Sequence, residues 1–234
     1  MVLIEPLEKK DIDLRMPVAP QIYDIVRQQI IRNELTPGSR ISEAELASGF
    51  NVSRQPVREA FIKLTNDGLL YVLPNRGSFV RKISINAVLD ARFVREAIEA
   101  DIVKLLAADH DAALDRELNS QIKHQTKAVR ADDPDAFIHL DELFHQTLAE
   151  AAQKSGAWAV VQSQKAQMDR VRYLSLIELD TSSLLEQHQA IVTAIATNDA
   201  AAAEAAMRSH LRKIIIDLPA IAQVKPELFE PGDG

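Results

Sequence analysis

The reading turns on residues 42–80, SEAELASGFNVSRQPVREAFIKLTNDGLLYVLPNRGSFV. Ser42 stands three residues before Glu45, the spacing at which two side chains satisfy each other's orphan backbone N–H groups, and Leu46 and Phe50 follow on one face. A short helix ending near Gly49 is expected. Ser53 is placed to cap the next helix, with Pro56 in its first turn, where a missing N–H does no harm, and Val52 and Val57 at hydrophobic-staple spacing. That helix should run to Asp67-Gly68. Leu69 to Leu73, the turn Pro74-Asn75-Arg76-Gly77 and Ser78 to Lys82 read as two short strands around a tight turn. Upstream, Ile22, Tyr23, Ile25, Val26, Ile30 and Ile31 recur at helical spacing until Thr36-Pro37-Gly38 stops the pattern. Three helices followed by a β-hairpin make a winged helix-turn-helix.

In such a unit the third helix enters the major groove by its N-terminal turn, and the hairpin reaches the backbone or the minor groove. Ser53, Arg54 and Gln55 open that helix, and Arg58 follows Arg54 at i+4, so two guanidiniums share a face able to grip a guanine edge or phosphates. Asn75, Arg76 and Gly77 put one cation on a turn whose glycine permits close backbone approach. The blander alternative is that each arginine merely solvates its element; the ordered set as a whole favours double-stranded DNA.

Charge distribution agrees. Residues 17–82 hold nine Lys/Arg against six Asp/Glu, a net of +3, whereas 83–234 hold 15 against 24, a net of −9. Of 234 residues, 47% are hydrophobic and 26% charged, and only 7 are Gly and 10 Pro, so few turns and long helices are expected and an all-β fold is excluded. The absence of Cys removes disulfides, thiolate metal sites and cysteine nucleophiles. No apolar run approaches the roughly 20 residues that span a bilayer, and the N-terminus lacks a signal-peptide pattern, so the expectation is a cytoplasmic protein without membrane contact.

Beyond Ser84 the chain shows amphipathic segments broken near 109–111, 132–134, 155–156, 180–183 and 198–199, which predicts six helices. The fold class is therefore mainly α, the winged head being followed by an all-α antiparallel bundle. The boundaries read as a tail at 1–16, the head at 17–82, the bundle at 83–221 and a loosely ordered tail at 222–234. No phosphate loop, HExxH or serine elbow appears. Histidine and carboxylate are the conspicuous chemistry. Asp141 and His145 lie one helical turn apart, and His188 and His210 lie on two successive helices that antiparallel packing can bring level. One Asp and three His suit zinc first, with nickel, manganese or iron as alternatives, and leave open positions for water or a small carboxylate. With six His in the chain, a coincidental Asp-x3-His is the competing reading; His110, His124 and His139 are set aside.

The runs PGSRISEAELA, VSRQPVREAF, DGLL and NRGSFV resemble the DNA-binding domain of the GntR family of bacterial transcription regulators. The resemblance implies that Ser53, Arg54, Gln55 and Arg58 fall on the recognition helix and Asn75, Arg76 and Gly77 on the wing. One departure stands out: some members carry a DNA-contacting arginine where this chain has Ala44. VLDARFVREAIEADIVKLLAA, HLDELFHQTLAEAA, MDRVRYLSL and EQHQAIVTAIATNDAAAAEAAMRSHL resemble the FCD effector-binding domain of the FadR subfamily, over about residues 86–217. That resemblance implies a divalent metal on Asp141, His145, His188 and His210, and a small organic acid as effector, with Arg95 and Arg172 neutralising its carboxylate. The alternative for either arginine is an ion pair with Glu96, Glu99 or Asp169. The whole then reads as a homodimeric, ligand-responsive repressor on a pseudo-palindromic operator. The rival is a metalloenzyme with an accessory head, for which Glu142 or Glu186 would have to supply the general base.

Overall fold

A computed structural model of the chain describes residues 12–179 and 182–231. Of the expected N-terminal tail, residues 1–11 lie outside the described residues, as does the break at 180–181. The chain divides into two compact units, Met1–Ser84 with Glu227–Gly234, and Ile85–Pro226.

In the first unit, α1 (Val18–Ile31) buries Ile22, Tyr23, Val26, Ile30 and Ile31, and α3 (Arg54–Asn66) packs on it through Val57, Ala60, Phe61 and Leu64. Removing each of the Val, Leu, Ile and Phe side chains from water stabilises by about 1.5–3 kcal/mol. Between them α2 (Glu43–Gly49) begins at Ser42, whose hydroxyl accepts from the Glu45 N–H at 3.3 Å. Ser53 sits at the N-cap of α3 in extended conformation but makes no capping hydrogen bond, contrary to the sequence expectation, so its hydroxyl is open to solvent. Tyr23 ties the two ends of this packing together, its hydroxyl donating to Asp67 at 2.5 Å.

The wing is β2 (Leu70–Leu73) and β3 (Gly77–Val80), antiparallel with Leu73 opposite Gly77. The sequence reading stops at a hairpin, but β1 (Arg40–Ile41) adds a third strand, in the order β1-β3-β2. Two residues are too few for a periodic signal. The tail also differs from expectation. Instead of trailing loosely it turns through a 3-10 segment (Pro226–Leu228) and bridges Phe229 in parallel to Ile83. Ile83 N–H donates to Leu228 O at 2.8 Å and Glu230 N–H to Ile83 O at 2.9 Å. Leu228 and Phe229, the two apolar residues in a polar stretch, are what the fold buries.

The second unit has seven helices among the described residues: α4 (Ile85–Ala108), α5 (Ala112–Arg130), α6 (Pro134–Ala151), α7 (Ser155–Gln164), α8 (Ala166–Glu178), α9 (Ser182–Ala196) and α10 (Ala200–Val224). Six were expected. The extra break, at Lys165, carries neither Gly nor Pro, and so gave no signal. The other breaks are chemical. Asp111, Asp133 and Asp199 accept from the N–H groups of the helices they open, and Asp132 and Asn198 take the left-handed conformation that closes the preceding ones. Phe144, Leu148, Leu118, Val161, Ile191, Ile195 and Leu211 form the core. No helix is long and apolar enough to cross a membrane among the described residues.

Candidate nucleic-acid interface and metal centre

On the head, Ser53, Arg54, Gln55 and Arg58 are all exposed along the first turns of α3. Amphipathicity explains why: Val57, Ala60, Phe61 and Leu64 take the inner face, which leaves the residues between them outside. No hydrogen bond or ion pair engages the Arg54 or Arg58 guanidinium among the described residues, whereas the Gln55 amide donates to Glu59 at 2.9 Å. Asn75 and Arg76 are exposed at the wing tip, with Asn75 at φ 60° and Gly77 at φ 102°. The second angle suits glycine alone. The structure thus places the seven expected residues on the helix start and on the wing.

In the helical unit Asp141 and His145 of α6, His188 of α9 and His210 of α10 converge, all buried, with one ligand atom of each within 4.8 Å of the others. His145 Nε2 and His210 Nε2 stand 3.2 Å apart, His188 Nε2 and His210 Nε2 3.3 Å, and His188 Nε2 and Asp141 Oδ1 3.3 Å. Two nitrogens bound tetrahedrally to zinc at 2.0–2.1 Å lie about 3.3 Å apart, so the donor spacing fits such an ion. The opposite ring atoms fit as well. His188 Nδ1 faces Gln125 Oε1 at 2.7 Å, His210 Nδ1 faces Gln187 Oε1 at 3.1 Å, and His145 Nδ1 lies 2.5 Å from Glu99 Oε2. The Gln125 and Gln187 oxygens hold a proton on Nδ1 of His188 and His210 and so aim each Nε2 lone pair at the common centre, whereas the close Glu99 contact does not give the His145 Nδ1 a well-formed hydrogen bond. Burial pushes the His188 pKa down to about 4 and His210 well below its ordinary value, which keeps both in the neutral form that ligates. Burial alone would raise Asp141, but Arg172 and the neighbouring imidazoles override it and hold the carboxyl well below the usual range.

The two expected effector arginines are both engaged. Arg95 is buried and pairs with Glu99 at 2.6 Å, and burial of Glu99 is outweighed by Arg95 and His145, which hold its pKa at about 2. Arg172 donates to Asp141 Oδ1. Glu96 is taken instead by Arg92, Arg208 and Arg212, and Asp169 by Lys165. A small cleft with about 20 Å³ of free space, room for roughly one water-sized group, opens beside Arg172 and His210, lined further by Met168, Ser175, Leu184 and Lys213. Neither carboxylate required by the enzyme reading joins the cluster: Glu142 pairs with Lys165 at 2.6 Å and Glu186 is exposed. Sequence reasoning missed Gln125 and Gln187. For Gln125 a signal existed, since it falls, with Gln121, on the buried face that Leu114, Leu118 and Ile122 form.

Winged head and helical bundle together define a bacterial transcription regulator of two domains. Residues 19–80 match the family described as bacterial regulatory proteins, gntR family, and residues 90–213 match the FCD domain. The chain belongs to the GntR family and carries an FCD domain. It is 39% identical over 214 residues, 91% of this chain and 94% of the relative, to the HTH-type transcriptional repressor RspR of Escherichia coli K12. It is also 39% identical over 209 residues, 89% and 88%, to a transcriptional regulator of Streptomyces ambofaciens. Among solved structures it resembles E. coli McbR/YncC, with TM-score 0.74 at 17% identity, covering 88% of this chain and 97% of that one, a likeness of fold. Its families and relatives are transcription regulators and not enzymes.

Proposed function

We propose that the protein is a homodimeric repressor that binds double-stranded operator DNA through Ser53, Arg54, Gln55, Arg58, Asn75, Arg76 and Gly77. Its affinity is set by a small carboxylate bound beside a divalent metal, zinc first, on Asp141, His145, His188 and His210. The observation that carries the effector half is a charge count. Asp141 and Glu99 balance Arg95 and Arg172, so with the histidines in the neutral form that ligation requires these seven residues carry no net charge. A divalent ion would leave it at a net of two positive charges in a low-dielectric interior, an expensive state that an anion in the adjacent cleft relieves. Arg172, at the edge of that cleft, is the group able to exchange Asp141 for an incoming carboxylate. Arg95, sealed behind Glu99, acts through Glu99 on His145. RspR is a repressor, and the same sign is proposed here.

Binding of the protein to its own upstream DNA, as a salt series with and without EDTA and a panel of sugar acids and other small carboxylates, tests this. Tight, salt-sensitive binding that one acid shifts only with metal present is the expected result. Specific binding that ignores every acid would remove the effector half, and no specific binding would remove the whole reading.

A further inference from the structure

Arg40 belongs to none of the elements credited above with reading DNA. It is the first residue of β1, in register with Phe79 of the wing strand β3, and its side chain is exposed. Its guanidinium lies over the wing backbone: a methyl group added at Gly77 would stand 3.1 Å from Arg40 Nε, 3.7 Å from Nη2 and 3.8 Å from Cζ. Gly77 is fixed as glycine by its φ of 102°, and the Arg40 side chain rests against it. An arginine with a structural task ordinarily takes a carboxylate, and Glu43 stands only three residues away, yet no ion pair or hydrogen bond engages Arg40 among the described residues. A half-buried glycine beneath it and no anion beside it leave a planar fork of donors next to the wing tip, where Arg76 is also exposed.

We infer that Arg40 is a further DNA-contacting residue, which holds a backbone phosphate at the base of the wing while α3 reads the base edges. The inference rests on the proposed operator-binding role of the head. Backbone contacts fix register without carrying sequence information, so Arg40 contributes affinity common to all sites and sets how close the wing approaches the duplex.

Arg40→Gln and Arg40→Lys in the full-length protein test this against a duplex that the wild-type protein selects from random-sequence DNA, with binding followed by fluorescence anisotropy from 50 to 200 mM salt, a range of about fourfold in which each lost phosphate contact registers. Each neutralised phosphate contributes about 0.9 to the slope of log K against log salt. Arg40→Gln should lower that slope by about 0.9 per head, leave the ranking of operator point variants unchanged, and be restored by Arg40→Lys. An unchanged slope would overturn the assignment, as would a loss of affinity that Lys does not rescue, which marks a structural prop, or a change in base ranking, which marks base readout. If wild type selects no duplex, it is the operator-binding reading that falls; if Arg54→Ala abolishes selection while Arg40→Gln binds like wild type, only this inference falls.

Discussion

Gln125 offers the sharpest test of the metal centre, because it touches no metal ion and lies on a helix that supplies no ligand. It is wholly buried, its Oε1 2.7 Å from His188 Nδ1 and its amide donating to Leu140 O at 3.3 Å. Gln125→Leu keeps the volume and removes the acceptor. Two costs follow. The His188 Nδ1–H is left buried without a partner, which costs about 1–3 kcal/mol in the metal-free protein. The tautomer that points Nε2 at the centre is no longer enforced, and loss of such a support weakens metal binding by roughly 10- to 100-fold, or about 1.4–2.7 kcal/mol. Chelator competition with zinc measures the second cost, and thermal unfolding with and without EDTA separates it from the first. For a unit of this size each kcal/mol moves Tm by roughly 2–4 °C. The metal-dependent part of Tm should therefore shrink in the variant as well as the baseline. An unchanged zinc affinity in a variant that unfolds cooperatively would refute the argument that Gln125 orients a ligand.

Four further outcomes are expected. Arg54→Ala should cost about 1–3 kcal/mol in operator binding and relax base preference at one position per half-site, measured by anisotropy on point-variant duplexes. Ending the chain after Lys225 removes the partner of the Ile83 amide, so that amide should lose its hydrogen-exchange protection and the head should melt at lower temperature, since Leu228 and Phe229 are both buried. Arg172→Gln should act oppositely to Gln125→Leu on the metal: with the competing cation gone from Asp141, zinc binds more tightly while the carboxylate response disappears, both read by titration calorimetry. Finally, His188 is depressed to about 4 when folded, so the unfolded chain binds its proton first; the stability this neutral ring brings is complete above about pH 6.5 and is lost as pH falls toward 4, a decline that metal-free melts from pH 7 to 4 should register.

The head was legible because its signals are local: the Ser42–Glu45 spacing, Pro56 one turn into a helix, and Asn75 to Gly77 between two apolar runs all act within a few residues. What escaped was set by distance. Strand β1 is two residues long and exists only because β3 is beside it. The Phe229 bridge joins positions nearly 150 residues apart. The ligand residues could be nominated from type and helical phase, but their supports could not, since nothing near Gln125 in the sequence points to a histidine 63 positions away. The two arginines show the same limit from the other side, because which carboxylate an arginine takes is decided by packing.

The distribution of the centre over the bundle bears on how it can act at a distance. The Asp/His cluster draws on α6, α9 and α10, and its hydrogen-bond partners and countercharges on α4, α5, α8 and α9, so among these helices only α7 contributes none. A change at the centre is therefore a change in how helices pack, and packed helices shift between discrete arrangements instead of deforming smoothly. Two of them matter most for output. Glu99 lies on α4, the first helix after Ser84, and His210 on α10, the last before Pro226. These helices pack extensively on each other, and their outer ends lead into residues that the first unit holds, Ile83 and Phe229, which are bridged directly. Both chain connections of the helical unit therefore run into one bridged pair of the head, and in the proposed regulator a ligand acts on DNA binding only in so far as it has different affinity for two packings of these helices.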